Sequence, residues 1–102
     1  MQLRDSGLLG KTLIIANPTA QSGAARSVAE RMQRFCALYS HETDAFSLVH
    51  TEHAGHATLL AREAEGFDTV LALGGDGVVH EVACGLMQID AARRPRLGVV
   101  PV

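Results

Sequence analysis

The residues best suited to chemistry in this chain are Gly74, Gly75, Asp76 and Gly77, four in a row. Before them lies a compact apolar run, Thr69-Val70-Leu71-Ala72-Leu73, and after them Val79, Val82, Ala83 and Leu86 fall at i, i+3, i+4 and i+7. The first run predicts a buried parallel strand and the second an amphipathic helix. A strand that stops on two glycines and restarts as a helix leaves bare N–H groups at the positive end of that helix, a ready anion site. Glycine lets backbone approach a ligand with no Cβ in the way. Asp76 adds one carboxylate for a hydroxyl or a hydrated metal ion. The same residues are also turn formers, and Asp76 could simply cap the helix. Both readings stay open on these four residues alone.

The elements that must position this turn follow from periodicity. Residues 11–16 (KTLIIA) predict a strand that is apolar on both faces, as strands covered by helices tend to be. The turn-forming loop Asn17-Pro18-Thr19-Ala20-Gln21-Ser22-Gly23 follows, with Ser22 as the N-cap region of the next helix. That helix is expected over 24–39, where Ala25, Val28, Ala29, Met32, Phe35, Cys36 and Tyr39 share one face. Residues 43–49 alternate well enough for a second strand. A second helix is expected over 54–65, with Gly66 as its left-handed C′ residue and Thr51 as a candidate cap at its start. The third helix runs to about Gln88, a polar Arg-bearing connector spans 89–95, and residues 96–100 (RLGVV) form a fourth strand.

The resulting β-α-β-α-β-α-β order predicts a three-layer α/β/α fold with a parallel sheet of about four strands and right-handed crossovers. In such a sheet the connections after strands one, two and three all leave from the carboxyl edge. Residues 17–23, 50–53 and 74–77 should therefore gather around one crevice, where open α/β sheets bind ligands. A phosphate-bearing ligand is the leading expectation. Neither G-x-G-x-x-G nor G-x-x-x-x-G-K-[ST] occurs, so neither standard nucleotide motif is present.

Composition narrows the classes. A chain of 102 residues holds one small core, and 47% apolar with 20% charged residues is ordinary for a folded domain. A net charge of −2 excludes the strong basic field of a nucleic-acid binder. No apolar run approaches the ~20 residues that span a bilayer, and residues 1–10 read as a flexible leader without a signal-peptide core. A cytoplasmic protein is expected, with Cys36 and Cys84 as buried, inert thiols. His53 and His56, at i and i+3, lack a third ligand in sequence and read as exposed helix histidines. Arg93, Arg94 and Arg96 could attract an anionic lipid surface or could simply be solvated.

With these residues in hand, the sequence resembles the diacylglycerol kinase catalytic domain family, which includes bacterial lipid kinases and sphingosine and ceramide kinases. The resemblance rests on LIIANP with the following Ser22-Gly23, Thr51 ahead of the second helix, GGDG with Glu81 and Gly85-Leu86 after it, and the final LGVVP. By that resemblance Asn17, Thr19, Ser22 and Gly23 would contact ATP phosphates, and Thr51 would add a hydroxyl nearby. Gly74, Gly75, Asp76 and Gly77 would line the nucleotide site, with Asp76 near ribose, phosphate or, through water, Mg²⁺. Glu81 would be a site residue by family position, or else a solvated carboxylate or the partner of a nearby backbone group. Two residues depart from the family pattern: Val78 stands where Thr is usual, removing a hydroxyl, and His80 stands where Asn is common.

The reaction implied is transfer of the ATP γ-phosphoryl to a lipid hydroxyl, diacylglycerol-like or sphingoid, a chemistry of positioning and charge stabilisation with Mg²⁺. Residues 11–102 would be a truncated nucleotide-binding domain, because family members continue into a Gly-Thr-Gly-Asn-Asp segment and a second, β-rich domain. That second domain would bind the lipid acceptor and supply the catalytic carboxylate, so no catalytic residue is expected in this chain. The parent protein could be peripheral at the membrane. Two alternatives stand beside this reading. One is an NAD-kinase-like domain; the other is a non-catalytic α/β module that forms homodimers through an uncovered sheet edge or face.

Overall fold

Two five-residue runs, each a threonine followed by four apolar residues, Thr12–Ala16 (β1) and Thr69–Leu73 (β3), are buried at every position and pair in parallel at the centre of a sheet. The computed structural model describes residues 10–17, 24–39 and 46–100, with side chains between 24 and 39 described for 27–34. Phe46–His50 (β2) pairs with β1 on one side, and Arg96–Val100 (β4) pairs with β3 on the other. The sheet order is β2-β1-β3-β4, with every pairing parallel. Ala24–Tyr39 (α1), His56–Arg62 (α2) and Asp76–Leu86 (α3) join consecutive strands, and a single 3₁₀ turn, Ala91–Arg93, precedes β4.

This order dictates the layers. The chain steps from β1 to β2 in one direction, then crosses back over β1 to β3 and on to β4 in the other. Right-handed crossovers therefore place α1 on one face of the sheet and α2 with α3 on the opposite face. Side chains obey the alternation. Leu13, Ile15, Val70 and Ala72 pack with Ala57, Ala61, Val78 and Val82 on the α2–α3 face. Ala16 and Leu73 pack with Val28, Ala29 and Met32 of α1 on the other. The expected three-layer α/β/α arrangement is the one observed.

Gly85 lets α2 and α3 approach closely. A Cβ at Gly85 would collide with the Thr58 carbonyl oxygen, lie 2.7 Å from Ala61 Cβ and 2.9 Å from Arg62 N. The Thr58 hydroxyl donates to the Glu81 carbonyl at 2.9 Å, tying the two helices along the same seam.

Several local expectations change. The second helix is shorter than periodicity suggested, because it begins at His56 behind Gly55, which sits at φ 84, and ends at Arg62. Gly66 does have a left-handed φ of 106, but in a separate turn where Phe67 N–H donates to the Ala64 carbonyl at 3.0 Å. It is therefore not the C′ residue of α2. Thr51 is not a cap either: Gly55 holds the N-cap position of α2 with no side-chain capping bond, and the Thr51 N–H donates to the Ala16 carbonyl at 2.8 Å and extends the sheet ladder. The third helix stops at Leu86, before Gln88, where the Arg94 guanidinium binds the Leu86 and Ile89 carbonyls at 2.9 Å. Arg94 is thus a helix C-terminal cap, with its positive charge at the negative end of the dipole, and Arg93 pairs with Glu65 at 2.7 Å. Cys84 is exposed rather than buried, with Sγ 3.5 Å from His80 Nε2. The Cys36 side chain, the Ser22 cap, the start of the second strand before Phe46 and the leader apart from Gly10 lie outside the described residues.

Candidate functional site

The glycine turn after β3 divides into one glycine the fold requires and two it does not. Gly74 is buried and sits at φ 147, a backbone that side chains rarely adopt, where the chain turns out of the sheet. Gly75 is extended (φ −89, ψ −167) and is the N-cap of α3. A Cβ at Gly75 or Gly77 would meet no atom within 4 Å. Space over those two residues is left open at the N-terminus of an eleven-residue helix. Asp76 is the first residue of that helix and is exposed, and no side chain makes a capping hydrogen bond there. Its carboxylate strengthens the helix end through the dipole but does not cap it.

Parallel pairing brings the other connections to the same rim. Asn17 N–H donates to the Leu73 carbonyl at 3.4 Å, and Gly74 N–H to the Val100 carbonyl at 3.4 Å. Asn17, Thr51 and Gly74 therefore stand side by side, each one residue beyond the end of its strand. β1 and β3 are adjacent, yet the chain leaves them toward opposite faces, so the rim opens between them.

A cleft of about 360 Å³ lies here on the α2–α3 side. Asn17 contributes from β1; Thr51, Glu52, His53 and Ala54 from the β2–α2 connection; Ala57 from α2; and Gly77, Val78 and Glu81 from α3. Of the residues expected at a site, Asn17, Thr51, Gly77 and Glu81 line this cleft. Gly74, Gly75 and Asp76 lie on the turn beside it and do not line it. Thr19, Ser22 and Gly23 lie outside the described residues.

Glu81 partners a backbone group. Its Oε2 accepts the Gly55 N–H at 3.3 Å, holding the β2–α2 connection against α3. Of the remaining members, Glu52 and His53 belong to the 50–53 connection expected at the rim, and Val78 is the position where the family pattern has Thr; Ala54 and Ala57 were not expected at a site. Ala57 of α2 and Val78 of α3 are both buried in the core between sheet and helices, and the chain order that brings 50–53 to the rim does not say which of its side chains face the cleft. Val78 serves both purposes, since it packs in the α2–α3 core while one edge meets the cleft.

Charge gives the cleft a direction. Glu52 and Glu81 line it, and among the described residues neither Lys nor Arg does so. Carboxylates accept hydrogen bonds from hydroxyl and amino groups and repel phosphate, whereas the open glycine turn at the helix N-terminus favours anions. The histidines of the connection are held in place. His56 Nδ1 accepts the Glu52 N–H at 2.9 Å, and His53 Nδ1 donates to the Ala54 carbonyl at 2.9 Å. Contrary to expectation, His53 stands before the helix, and His56 is its half-buried first residue. Among the described residues no group of three or more His, Cys, Asp or Glu could hold a metal ion by itself.

A second groove, at the amino edge, is lined by Glu65, Phe67, Asp68 and the arginines 93, 94 and 96. Two of those arginines already serve the fold, Arg93 against Glu65 and Arg94 at the end of α3. No described helix is long and apolar enough to cross a membrane.

Comparison with known proteins agrees with this fold. The profile of the family described as "Diacylglycerol kinase catalytic domain" matches residues 11–102. The diacylglycerol kinase of Bacillus subtilis (strain 168) is 42% identical over 93 residues, covering 87% of this chain and 28% of that protein. The diacylglycerol kinase of Staphylococcus aureus (strain JH9) is 42% identical over 64 residues, covering 61% of this chain and 19% of its own length. A crystal structure of a diacylglycerol kinase from Bacillus anthracis str. Sterne superimposes with a TM-score of 0.78 at 28% identity, over 94% of this chain and 34% of that one. The chain thus spans about a third or less of the proteins it matches.

Proposed function

Because the chain belongs to the diacylglycerol kinase catalytic domain family, we propose that it is the ATP-binding portion of a lipid kinase. The kinase would transfer the γ-phosphoryl of ATP to the hydroxyl of a diacylglycerol-like or sphingoid lipid. The observation that carries the nucleotide reading is the pair Gly75 and Gly77. Neither has a backbone that demands glycine, and a Cβ at either would meet nothing in the chain. Their lack of side chains has a use only if something else comes close to this backbone.

In this reading the phosphates lie over residues 74–77 at the N-terminus of α3, reaching toward Asn17. The nucleoside end lies in the cleft, where Glu52, Glu81 and the Thr51 hydroxyl offer partners to ribose and base. Asp76 would hold Mg²⁺ through water, which suits a cation that keeps several waters and takes its other ligands from phosphate oxygens. When bound, Mg²⁺ supplies charge neutralisation on those oxygens. The chain's own contribution is orientation: N–H groups fixed by the helix, and a cleft wall fixed by the Gly55–Glu81 hydrogen bond.

The test is a titration of the chain with MgATP followed by backbone amide shifts. Shifts concentrated at Asn17, residues 51–55 and residues 74–78 are expected. A spectrum unchanged at millimolar MgATP removes the nucleotide reading. Lipid phosphorylation is expected from the full-length protein and not from this chain alone, and measurable turnover by the chain would overturn that assignment.

A further inference from the structure

The stacked histidines beside the cleft have no role in the phosphate chemistry above. His53 and His56 stack with ring centroids 4.7 Å apart and planes 18° from parallel. His53 lines the cleft and His56 does not. One face of the His53 ring is thus backed by His56, while the residue itself is exposed at the cleft wall. Both rings are fixed before any ligand arrives, His53 through Ala54 O and His56 through the Glu52 N–H.

We propose that the outer face of the His53 imidazole is the surface on which the purine of the bound nucleotide stacks. This rests on the nucleotide reading and adds the residue that recognises the base. Other described π surfaces lie elsewhere. Phe67 sits at the amino edge beneath Lys11 Nζ at 4.8 Å, and Phe46 begins β2 at that same edge. His50 ends β2, but its register partner Ala16 packs toward α1, so His50 belongs to the face opposite the cleft. His80 is engaged with Cys84 on α3. At the cleft itself the carboxylates of Glu52 and Glu81 suit the amino and hydroxyl groups of a nucleoside, while among the described lining residues only His53 offers an aromatic ring. A platform already oriented by hydrogen bonds and backed by a second ring loses little freedom when a base settles on it.

The experiment compares the wild-type chain with His53→Ala and His53→Phe, using MgATP and magnesium tripolyphosphate as separate probes. Stacking predicts that His53→Ala weakens MgATP about tenfold, within the range for removing one base–aromatic contact. Tripolyphosphate affinity should not move, because it carries no base, and His53→Phe should bind MgATP nearly as well as wild type. In the wild-type chain, MgATP should shift the His53 ring protons upfield through the ring current of the purine, and tripolyphosphate should not. Unchanged MgATP affinity in His53→Ala overturns the stacking role and leaves the nucleotide reading standing. Equal losses for both probes overturn it too, since that pattern means a collapsed loop. A wild-type chain that binds neither probe removes both readings together.

Discussion

At the scale of single residues, the glycines of the β3–α3 turn separate what the fold needs from what a ligand would need. Gly74 carries the φ of 147 that turns the chain out of the sheet, so its identity is structural. Gly77 lies inside α3 with empty space where its Cβ would be, so its identity is costly to the helix and useful only at the cleft. Gly77→Ala should therefore stabilise the chain by up to about 1 kcal/mol, from the better helix propensity of Ala. The same methyl enters the cleft wall and should weaken MgATP by roughly tenfold or more, about 1.4 kcal/mol. Urea denaturation and calorimetric titration on one variant check both signs. A variant that is more stable and binds MgATP as well as wild type would mean that Gly77 faces no ligand. Val78 works differently: it is only 6% exposed, and its isopropyl group belongs to the core that seats α3.

At the scale of elements, the cleft depends on how closely α2 and α3 pack, and Gly85 sets that distance. Adding a methyl there drives it into the backbone of α2 at Thr58 and Arg62 and against the Ala61 Cβ. Backbone atoms cannot swing aside as a long side chain can. Gly85→Ala should cost about 1–3 kcal/mol, outweighing the gain in helix propensity of about 1 kcal/mol. The urea midpoint should fall accordingly. The Thr58 hydroxyl bond and the Glu81–Gly55 bond span the same interface, so amide exchange at Gly55 should quicken in this variant. A midpoint equal to wild type would show that α2 shifts freely over α3, and the cleft would then lack a fixed wall.

At the scale of the whole molecule, the two edges of the parallel sheet divide the work. The carboxyl edge holds the cleft, and the amino edge holds a knot of hydrogen bonds that registers the strands. There Asp68 N–H donates to the Lys11 carbonyl at 2.8 Å, the Lys11 N–H donates to Asp68 Oδ2 at 2.9 Å, and Arg96 N–H donates to the Asp68 carbonyl at 3.0 Å. Gly10, at φ 68, lets the chain pass so close that a Cβ would strike the Asp68 carboxylate. Asp68→Ala removes one hydrogen bond to a charged acceptor, worth about 1–3 kcal/mol, at the far end of the sheet from the cleft. Thermal unfolding should begin at lower temperature, and MgATP affinity measured well below the transition should equal that of wild type. A matching loss of affinity would mean that the two edges are coupled through β1 and β3.

The sequence by itself determined the alternation of strands and helices, because each signal is local. The α1 stripe, the TVLAL run of β3 and the RLGVV run of β4 give the bounds found in the structure. Parallel alternation alone placed Asn17, Thr51 and the glycine turn on one rim, since every strand points the same way. Local signals misled where a residue answers to a distant partner. Gly66 has the left-handed backbone expected of it but closes a turn beyond the helix, and Arg94, read as a linker charge either solvated or facing an anionic lipid surface, caps α3 across eight residues. Only the tertiary structure decided the order β2-β1-β3-β4, which opens the crevice between β1 and β3. It alone also joined Gly55 to Glu81 and turned His53 toward the cleft. Those contacts depend on how helices cross a sheet, and no pattern of neighbouring residues encodes that crossing.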